Sequence, residues 1–283
     1  MDKQKIVENA KKIFSTASVT YYNATQFFPE EIRDDVTILY SFVRVADDFV
    51  DCNPQKPDEF YQFKQTYEKS LNSKTSSNNE IIDSFIDLLE RKQIPKKVPE
   101  VFLKAMEQDL HKSNYQTLEE LEEYMVGSAE VIGVMMAKIM ELKKESEQTA
   151  RLLGKAMQFI NFIRDIEYDM HTLNRVYIPQ EILSRYDFEE FTKDSIQSNI
   201  KKFTQMIRDM IQLYYEWQTR AETGFQFIPT PYLIPIKTAS DMYKWTANKL
   251  FDDPTIILKE RLKPSPTQIL AAAQKNQELL NKV

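Results

Sequence analysis

Glycine occurs at only four positions in this chain of 283 residues: Gly127, Gly133, Gly154 and Gly224. Sheet-rich folds use glycine at many tight turns, where the backbone takes positive φ values, so this scarcity disfavours them. The four positions also cannot form the glycine-rich loops that hold nucleotide phosphates, either the dinucleotide fingerprint or the P-loop. The sequence therefore predicts a helical protein without a nucleotide site of those two kinds.

Apolar residues recur at the three- and four-residue spacing of amphipathic helices. One such series is Phe203, Ile207, Met210, Ile211 and Tyr214. Prolines and polar clusters separate these patterns and predict loops at Asn53–Asp58, Ser70–Asn79, Gln93–Pro99, Thr172–Pro179 and Phe227–Pro235. No hairpin signal or alternating strand pattern occurs. The prediction is an all-α protein of ten or so helices, forming a single bundle-like domain over residues 1–283.

Composition limits the partners and the compartment. Hydrophobic residues make up 42% of the chain, enough for a substantial core, and the net charge of −6 argues against nucleic acid as a main partner. Cys52 is the only cysteine, so no internal disulfide can form, and two histidines cannot complete a zinc cluster with it. The longest apolar run, Val131–Met140, is too short to span a bilayer. We expect a cytoplasmic protein and leave its oligomeric state open.

A polar stripe follows one face of the helix predicted over Asp34–Asp51. At about 100° per residue, four polar side chains of this segment fall within an arc of about 60°. They are Tyr40, Arg44, Asp47 and Asp51. Asp48 lies at the edge of the stripe, and the opposite face is apolar.

A second stripe follows the helix predicted over Arg151–Met170. Its four polar side chains share an arc of about 80° by the same arithmetic. They are Gln158, Asn161, Asp165 and Asp169. Most of the remaining circumference is apolar.

An ordinary amphipathic helix with its polar face in water would explain either stripe alone. However, carboxylates four residues apart repel each other on a helix, and aspartate is a poor helix former. The arrangement also occurs twice, each time beside hydrogen-bonding partners. Two facing stripes would line a cavity with oxygen ligands, which suit Mg²⁺ bridging to phosphate oxygens. A metal there would make diphosphate a good leaving group, and apolar walls would shield the resulting carbocation from water.

Two segments carry the motifs of a known enzyme family. Residues 18–21 match a Ser-x-Ser-Phe start, and residues 40–51 match Tyr-x-x-x-Arg-x-x-Asp-Asp-x-x-Asp. Residues 158–169 match Gln-x-x-Asn-x-x-Arg-Asp-x-x-x-Asp, and residues 175–177 match the Arg-x-Tyr that follows. Tyr243 and Arg261 match a late tyrosine and arginine. From about Ser18 to Arg261 the chain resembles the squalene/phytoene synthase family, and Tyr124–Met136 points to its archaeal and bacterial phytoene synthases.

The resemblance implies the all-helical isoprenoid synthase fold, with one central cavity, and assigns roles to individual residues. The implied catalytic residues are Tyr40, Arg44, Asp47, Asp48, Asp51, Asp165 and Asp169. The implied Mg²⁺ ligands are Asp47, Asp51, Asn161, Asp165 and Asp169. The implied substrate-binding residues are Ser18, Val19, Thr20, Tyr21, Tyr40, Arg44, Gln158, Arg164, Arg175, Tyr177, Tyr243 and Arg261.

The implied activity is the head-to-head condensation of two prenyl diphosphates through a cyclopropylcarbinyl diphosphate. Two geranylgeranyl diphosphates would give phytoene, and farnesyl diphosphate would give presqualene diphosphate, dehydrosqualene or squalene. NADPH would be required only if the product is squalene. Glu130 stands where many members carry glycine, in a helix expected to line the pocket for the prenyl tails, so the choice between C15 and C20 substrates stays open.

Two alternatives remain at this point. A head-to-tail prenyltransferase also uses Asp-Asp-x-x-Asp, but those enzymes usually have an arginine pair after it, where this chain has Cys52, Asn53 and Pro54. A non-catalytic relative acting as an assembly or scaffold protein would be free to lose the aspartates, which are all present here. Products this apolar must enter a bilayer, so we also expect transient contact with a membrane surface. Phe225–Ile236 is the candidate segment for that contact.

Overall fold

The computed structural model describes residues 8–11 and 19–280. Within these residues, ten helices are eight residues or longer, and no strand occurs apart from one isolated bridge between Asn114 and Val176. The first half contains α1 (Val19–Thr25), α2 (Glu30–Asp51), α3 (Pro57–Ser73), α4 (Glu80–Arg91), α5 (Lys97–Gln108), α6 (Leu118–Met125) and α7 (Val131–Ile139). The second half contains α8 (Glu147–Arg164), α9 (Ile166–Tyr168), α10 (Gln180–Arg185), α11 (Lys193–Ser198), α12 (Ile200–Glu222), α13 (Thr230–Asp252) and α14 (Pro266–Leu280). The all-α prediction is confirmed.

Shorter turns join some of these helices. Two are π-helical, Val126–Glu130 between α6 and α7 and Asp169–Leu173 after α9. Three are 3₁₀ turns, Lys144–Ser146, Thr223–Phe227 and Pro254–Leu258. Single π turns inside helices are often found at functional sites, and here both lie beside the cavity described below.

The core forms around α8, which packs against α7, α12 and α13. Helix α2 buries the apolar face predicted from its sequence, and Phe42 and Val50 have no solvent exposure. The ring of Phe42 stacks on that of Phe85 in α4, with 3.9 Å between the ring centroids. Burial of this face leaves the opposite, polar stripe of α2 to line an internal space.

The glycines serve helix packing rather than turns, since none of them takes a positive φ value. A Cβ atom on Gly133 would lie 2.1 Å from the carbonyl oxygen of Ala150, and one on Gly154 would lie 2.5 Å from that of Ala129. Both distances are far below any van der Waals contact. Glycine therefore allows the backbones of α7 and α8 to approach closely beside the cavity.

The loop predicted over Phe227–Pro235 is wrong beyond Pro229, because α13 begins at Thr230. Pro231 lies in the first turn, where backbone N–H groups have no partner within the helix, so proline costs little there. Pro235 removes one hydrogen bond inside the helix and is tolerated in this buried segment.

The single helix predicted over Arg151–Met170 is also wrong past Arg164. Asp165 leaves α-helical geometry, with φ −98° and ψ 11°, and the short helix α9 and a π turn follow. The backbone N–H of Arg175 donates to the carbonyl oxygen of Asp169 at 2.9 Å. This return of the chain brings Arg175 beside the end of α2.

Helices α1 and α14 form an outer layer against α13. Their contact buries Ala24, Ala239, Met242 and Ile269 in a small apolar cluster separate from the main core, and Tyr21 packs against it. In α14, Asn276 donates to the Asp241 carboxylate of α13 at 2.9 Å. None of the described helices has the length and apolar character needed to cross a membrane.

Candidate functional site

A cavity of about 420 Å³ lies between α2, α5, α7, α8, α12 and α13. Its polar walls carry both predicted stripes, and its apolar walls come mainly from aliphatic and aromatic side chains of the same helices. The charged and amide side chains that line it are Arg44, Asp47, Asp51, Asp109, Gln158, Asn161, Arg164, Asp165, Asp169, Arg261 and Lys263. The structure therefore brings the two aspartate pairs into one polar region that opens onto an apolar space.

Arg44 organises the first stripe. Its Nη1 atom donates to Asp47 Oδ2 at 2.8 Å, and its other terminal nitrogen pairs with Asp48. Asp48 is exposed and is not part of the cavity wall, whereas Asp47 is. The catalytic role predicted for Asp48 stays a prediction, and in the structure Asp48 forms an ion pair with Arg44.

The surroundings of Asp47 disfavour its ionised form. Burial raises its pKa well above the ordinary value, and the neighbouring Asp51 carboxylate raises it further. Arg44 opposes this shift only in part. A cation placed near Asp47 would therefore be attracted to a carboxylate that the protein leaves undercompensated.

Arg175 forms an ion pair with Asp51. Its guanidinium donates to Asp51 Oδ1 at 2.6 Å, to the carbonyl oxygen of Val50 at 2.6 Å and to the hydroxyl of Tyr177 at 3.0 Å. Arg175 is only 3% exposed, so these protein groups use most of its hydrogen-bonding capacity. The substrate contact predicted for Arg175 stays a prediction, and the geometry gives it a positioning role toward Asp51.

The sequence predictions missed Asp109, a buried carboxylate on the cavity wall just after α5. It accepts a hydrogen bond from the Tyr124 hydroxyl at 2.6 Å and one from Tyr177 at 3.4 Å. Burial raises its pKa to about 7, although Arg175 lowers it. No second acidic residue stands three or four positions away, so no stripe marked Asp109 in the sequence.

Two arginines form hydrogen bonds to the Asp165 carboxylate. Arg164 donates to its two carboxylate oxygens at 2.7 and 2.6 Å, and Arg261 donates to the same two oxygens at 2.8 and 2.6 Å. Burial alone would raise the pKa of Asp165, but these hydrogen bonds outweigh it and lower the pKa to about 2. Asp165 is therefore ionised at neutral pH.

The pKa of Asp169 shifts in the opposite direction. Burial raises its pKa to about 8, with further contributions from the carboxylates of Asp165 and Asp51. The influence of Asp51 on Asp169 connects the two stripes across the cavity. Unlike Asp47, which is paired with Arg44, Asp169 forms no ion pair within residues 8–11 and 19–280.

Asn161 lies between these groups and Tyr243. Its Oδ1 atom is buried and has no hydrogen-bond partner within residues 8–11 and 19–280. Burial raises the pKa of Tyr243, while Arg164 and a hydrogen bond from Asn161 lower it. A buried amide oxygen without a partner in the protein is free to bind a ligand. Gln158 lies one turn earlier on the same face of α8.

Tyr21 and Tyr40 lie side by side on the wall near α1, with 6.0 Å between the ring centroids. Burial, followed by the neighbouring Tyr243 and Tyr40, raises the pKa of Tyr21. Among the other predicted contacts, Val19 and Thr20 belong to α1. Ser18 lies outside the described residues.

Lys263 is a second residue that the sequence predictions missed. It lines the cavity near Arg261, and burial together with the charges of Arg261 and Arg164 lowers its pKa. Arg261 itself lies over the ring of Tyr168, 4.5 Å from the ring centroid. Lys263, Arg261, Arg164 and Arg44 therefore place four basic side chains on the cavity wall, where phosphate oxygens could be bound.

The donor set fits Mg²⁺ bound jointly by protein and substrate. Within the described residues, no three acidic, histidine or cysteine side chains lie close enough to hold a metal without another ligand. Mg²⁺ is commonly held by one or two carboxylates together with substrate phosphates. Asp47 and Asp169, each undercompensated, and the unpartnered Oδ1 atom of Asn161 supply such partial sites.

The segment that contains Glu130 lines the cavity, as the resemblance implied, but Glu130 itself does not. Its carboxylate lies 4.0 Å from Arg151, and the nearby Lys155 also counteracts the rise in pKa that burial causes. Its neighbours Ala129 and Gly133 face the cavity instead. Glu130 therefore does not reduce the space available to an apolar chain.

A model of the squalene/phytoene synthase family matches residues 14–268. The phytoene synthase of Rhodobacter capsulatus is 26% identical to this chain over 243 residues, which cover 84% of this chain and 70% of that protein. The phytoene synthase of Cereibacter sphaeroides is 26% identical over 238 residues, 79% of this chain and 65% of that protein. The chain thus spans about two thirds of the length of these relatives.

The fold has a solved counterpart. The crystal structure of a dehydrosqualene synthase in complex with ligand superposes with a TM-score of 0.80 and covers 100% of this chain and 99% of that one. Sequence identity between the two is 17%, so the similarity concerns the fold. The predicted isoprenoid synthase architecture is confirmed.

Proposed function

The chain belongs to the squalene/phytoene synthase family, and from that premise we propose that it condenses two geranylgeranyl diphosphates head to head to phytoene. The observation that carries the proposal is the cavity, in which two facing aspartate pairs and four basic side chains adjoin an apolar interior. A prenyl diphosphate has a polyanionic head that fits the polar part of the cavity and an apolar tail that fits the apolar part.

Mg²⁺ would be held by Asp47, Asp51, Asn161, Asp165 and Asp169, and Asp165 would have to give up hydrogen bonds from Arg164 or Arg261 to do so. The ion would neutralise the negative charge that develops on departing diphosphate. Since Asp47 and Asp169 have raised pKa values, their protons would be displaced when the metal binds.

Basic residues would contact the diphosphates directly. Arg44, Arg164 and Arg261 offer planar forks that can donate two hydrogen bonds to phosphate oxygens, and Lys263 adds a point charge. Arg164 and Arg261 already hold Asp165 in the ligand-free arrangement, so that carboxylate fixes their orientation toward the cavity. Tyr243 lies beside them on α13.

The apolar walls would protect the cation left when diphosphate departs. The allylic cation would alkylate the double bond of the second substrate, and loss of a proton from the carbon that lost diphosphate would close the ring of a cyclopropylcarbinyl diphosphate. A second ionisation, rearrangement and loss of a proton would give phytoene. Phe162 and Tyr177 stack at 4.2 Å on this wall and present aromatic faces suited to a carbocation.

The C20 substrate is favoured by the names of the aligned relatives, which are phytoene synthases. Farnesyl diphosphate giving dehydrosqualene, presqualene diphosphate or squalene is the alternative. NADPH would be required only for squalene.

Contact with a membrane surface is the second part of the proposal. Phe225 and Ile228 line the cavity, and the neighbouring Pro229 and Pro231 are exposed. Residues 224–236 contain no charged side chain, so this segment could lie against lipid while an apolar product leaves. Flotation of the purified protein with liposomes tests this contact, and failure to co-migrate would contradict it.

The decisive experiment incubates purified protein and Mg²⁺ with geranylgeranyl or farnesyl diphosphate, with and without NADPH. Extracted hydrocarbons are identified by mass spectrometry. A C40 product formed without NADPH supports phytoene synthase, and a C30 product moves the assignment to the farnesyl-based reactions. Absence of any condensation product from folded protein would overturn the head-to-head activity and favour a scaffold role.

A further inference from the structure

One face of α8 follows the cavity along the whole helix. The residues of α8 on that wall recur every three or four positions, with some adjacent pairs: Thr149, Ala150, Leu153, Gly154, Met157, Gln158, Asn161, Phe162 and Arg164. From Ala150 to Arg164 the helix advances about 21 Å, at a rise of 1.5 Å per residue. The diphosphate and metal groups lie at the Arg164 end, so the Ala150 end is the position farthest along α8 from the reacting heads.

Two 3₁₀ turns close the far end. The turn Lys144–Ser146 precedes α8, the turn Thr223–Phe227 follows α12, and the two turns contact each other. A Cβ atom on Gly224 would lie 2.1 Å from the hydroxyl oxygen of Thr149, so the second turn and the first residues of α8 are in close contact here. A substrate chain that extended between them would have to separate these two residues.

The closure presents an apolar surface although two of its residues carry hydroxyls. Ser146 donates to the carbonyl oxygen of Lys143 at 2.7 Å, and Thr149 donates to that of Ser146 at 2.9 Å. Both hydroxyl protons are therefore used within the local backbone. Hereafter the end wall means Leu142, Ser146, Thr149, Ala150, Ala221 and Gly224, all of which line the cavity.

We propose that the end wall fixes the longest prenyl chain that the protein accepts, and that its small residues admit the C20 chain. The inference rests on the proposed head-to-head condensation. Five of the six members are glycine, alanine, serine or threonine, and the bulky Phe225 of the same turn also lines the cavity beside them. A geranylgeranyl chain exceeds a farnesyl chain by one five-carbon unit, and that unit would occupy the space in front of Ala150.

A size series at Ala150 tests the end wall. The variants Ala150→Val, Ala150→Leu and Ala150→Phe receive equal concentrations of farnesyl and geranylgeranyl diphosphates with Mg²⁺, and the ratio of C40 to C30 product is measured. We expect this ratio to fall stepwise with side-chain size, by at least roughly tenfold for Phe, because one misfitting methylene changes kcat/KM by about 10- to 200-fold. The exposed neighbour Gln148→Phe serves as the matched control and should keep the wild-type ratio.

The outcomes separate the end wall from the proposed function. If the wild type forms no condensation product, the proposed function fails before the series is interpreted. If the wild type forms phytoene and the folded variants keep its C40 to C30 ratio, the end wall is wrong. The series includes the smaller Val and Leu variants in case the largest side chain prevents folding. The test is decided by the largest variant that retains the wild-type circular dichroism spectrum. Binding of unreactive thio-diphosphate analogues by calorimetry should show the same loss, confined to the C20 analogue.

Discussion

The two aspartate pairs have similar sequence patterns but opposite electrostatic surroundings. In the second pair, Asp165 receives four hydrogen bonds from two arginines, and its pKa falls to about 2. In the first pair, Asp47 has only one arginine contact, shared with Asp48, and its pKa rises well above the ordinary value. The protein thus neutralises one carboxylate itself and leaves others to be neutralised by something that binds.

The difference extends within the second pair, because Asp169 has a pKa raised to about 8 while Asp165 stays ionised. Buried carboxylates without a cation reduce the stability of the ligand-free protein, and they are the groups expected to gain most when metal arrives. Asp165 instead acts as the fixed anion that orients Arg164 and Arg261 toward the cavity. The second pair therefore combines Asp165, whose negative charge two arginines balance, with Asp169, whose ionised form is disfavoured.

The largest expected effect is on activity. Asp47→Asn and Asp169→Asn should each lower kcat/KM by about 10²- to 10³-fold, the range for losing one electrostatic contact to the transition state. If both carboxylates serve one metal cluster, the double variant should lose much less than the product of the two losses. Steady-state kinetics measure this, with Asp58→Asn at the exposed start of α3 as the control. Fully multiplicative losses would show that the two pairs act independently.

Stability should separate the members of the second pair. Asp165→Asn leaves Arg164 and Arg261 without their carboxylate, and we expect a loss of about 2–4 kcal/mol, reduced from the usual range because Arg261 is partly exposed. Asp169→Asn removes a buried, disfavoured charge and should raise the free energy of unfolding at pH 8.5. Urea denaturation in Mg²⁺-free buffer distinguishes the two. Equal destabilisation by both variants would contradict the comparison.

The pH dependence should also have opposite signs at the two aspartates. The raised pKa of Asp169 gives a contribution to stability that is present below pH 3.8 and is lost as pH rises through about 8. The lowered pKa of Asp165 gives a contribution that is present above pH 3.8 and is lost as pH falls through about 2.

Binding of Mg²⁺ with inorganic diphosphate should consequently strengthen between pH 6 and 8, by up to about tenfold per pH unit for each proton displaced. Calorimetry in buffers of different ionisation enthalpy measures the proton release. Asp169→Asn should flatten the profile. A wild-type affinity that does not change with pH would contradict the assigned protonation.

The smallest effect is expected for Arg261→Lys. Lysine keeps the charge but loses the two-pronged contact with Asp165, while Arg164 retains its own. We expect kcat/KM to fall by about two- to fivefold, because a partly exposed ion pair contributes only about 0.2–1 kcal/mol. Arg164→Lys, at the more buried partner, should cost more, and the reverse order would show that Arg261 makes the more important contact with the diphosphate.

Local patterns predicted much of the fold and part of the site. The polar face of α2 follows from residue spacing, and the structure places Arg44, Asp47 and Asp51 on one cavity wall as that spacing required. The break at Asp165 was not predicted, because a helical pattern continues through Met170 in the sequence. The loop prediction around Pro235 was wrong because proline usually ends a helix, whereas the buried helix α13 tolerates it.

Asp109 and Lys263 could not be found from spacing. Asp109 joins the site because α5 ends beside Arg175, whose backbone lies 66 residues away along the chain. Lys263 joins it because the segment after α13 returns to Arg164. Asp109 has no motif residue near it, and Lys263 follows Arg261 by two residues without matching a motif position itself. The place of both in the site depends on contacts between segments far apart in the sequence.

By itself, the sequence determined that this protein is helical, that it carries two acidic stripes, and that these stripes match one enzyme family. Those features depend on spacings of three and four residues, which the geometry of a helix fixes without reference to the rest of the chain. Only the tertiary structure decided which aspartate is neutralised, because the second arginine on Asp165 comes from 96 residues away. Charge compensation depends on distance in space, so the protonation of the site, the position of Glu130 and the end of the cavity all had to await the packed fold.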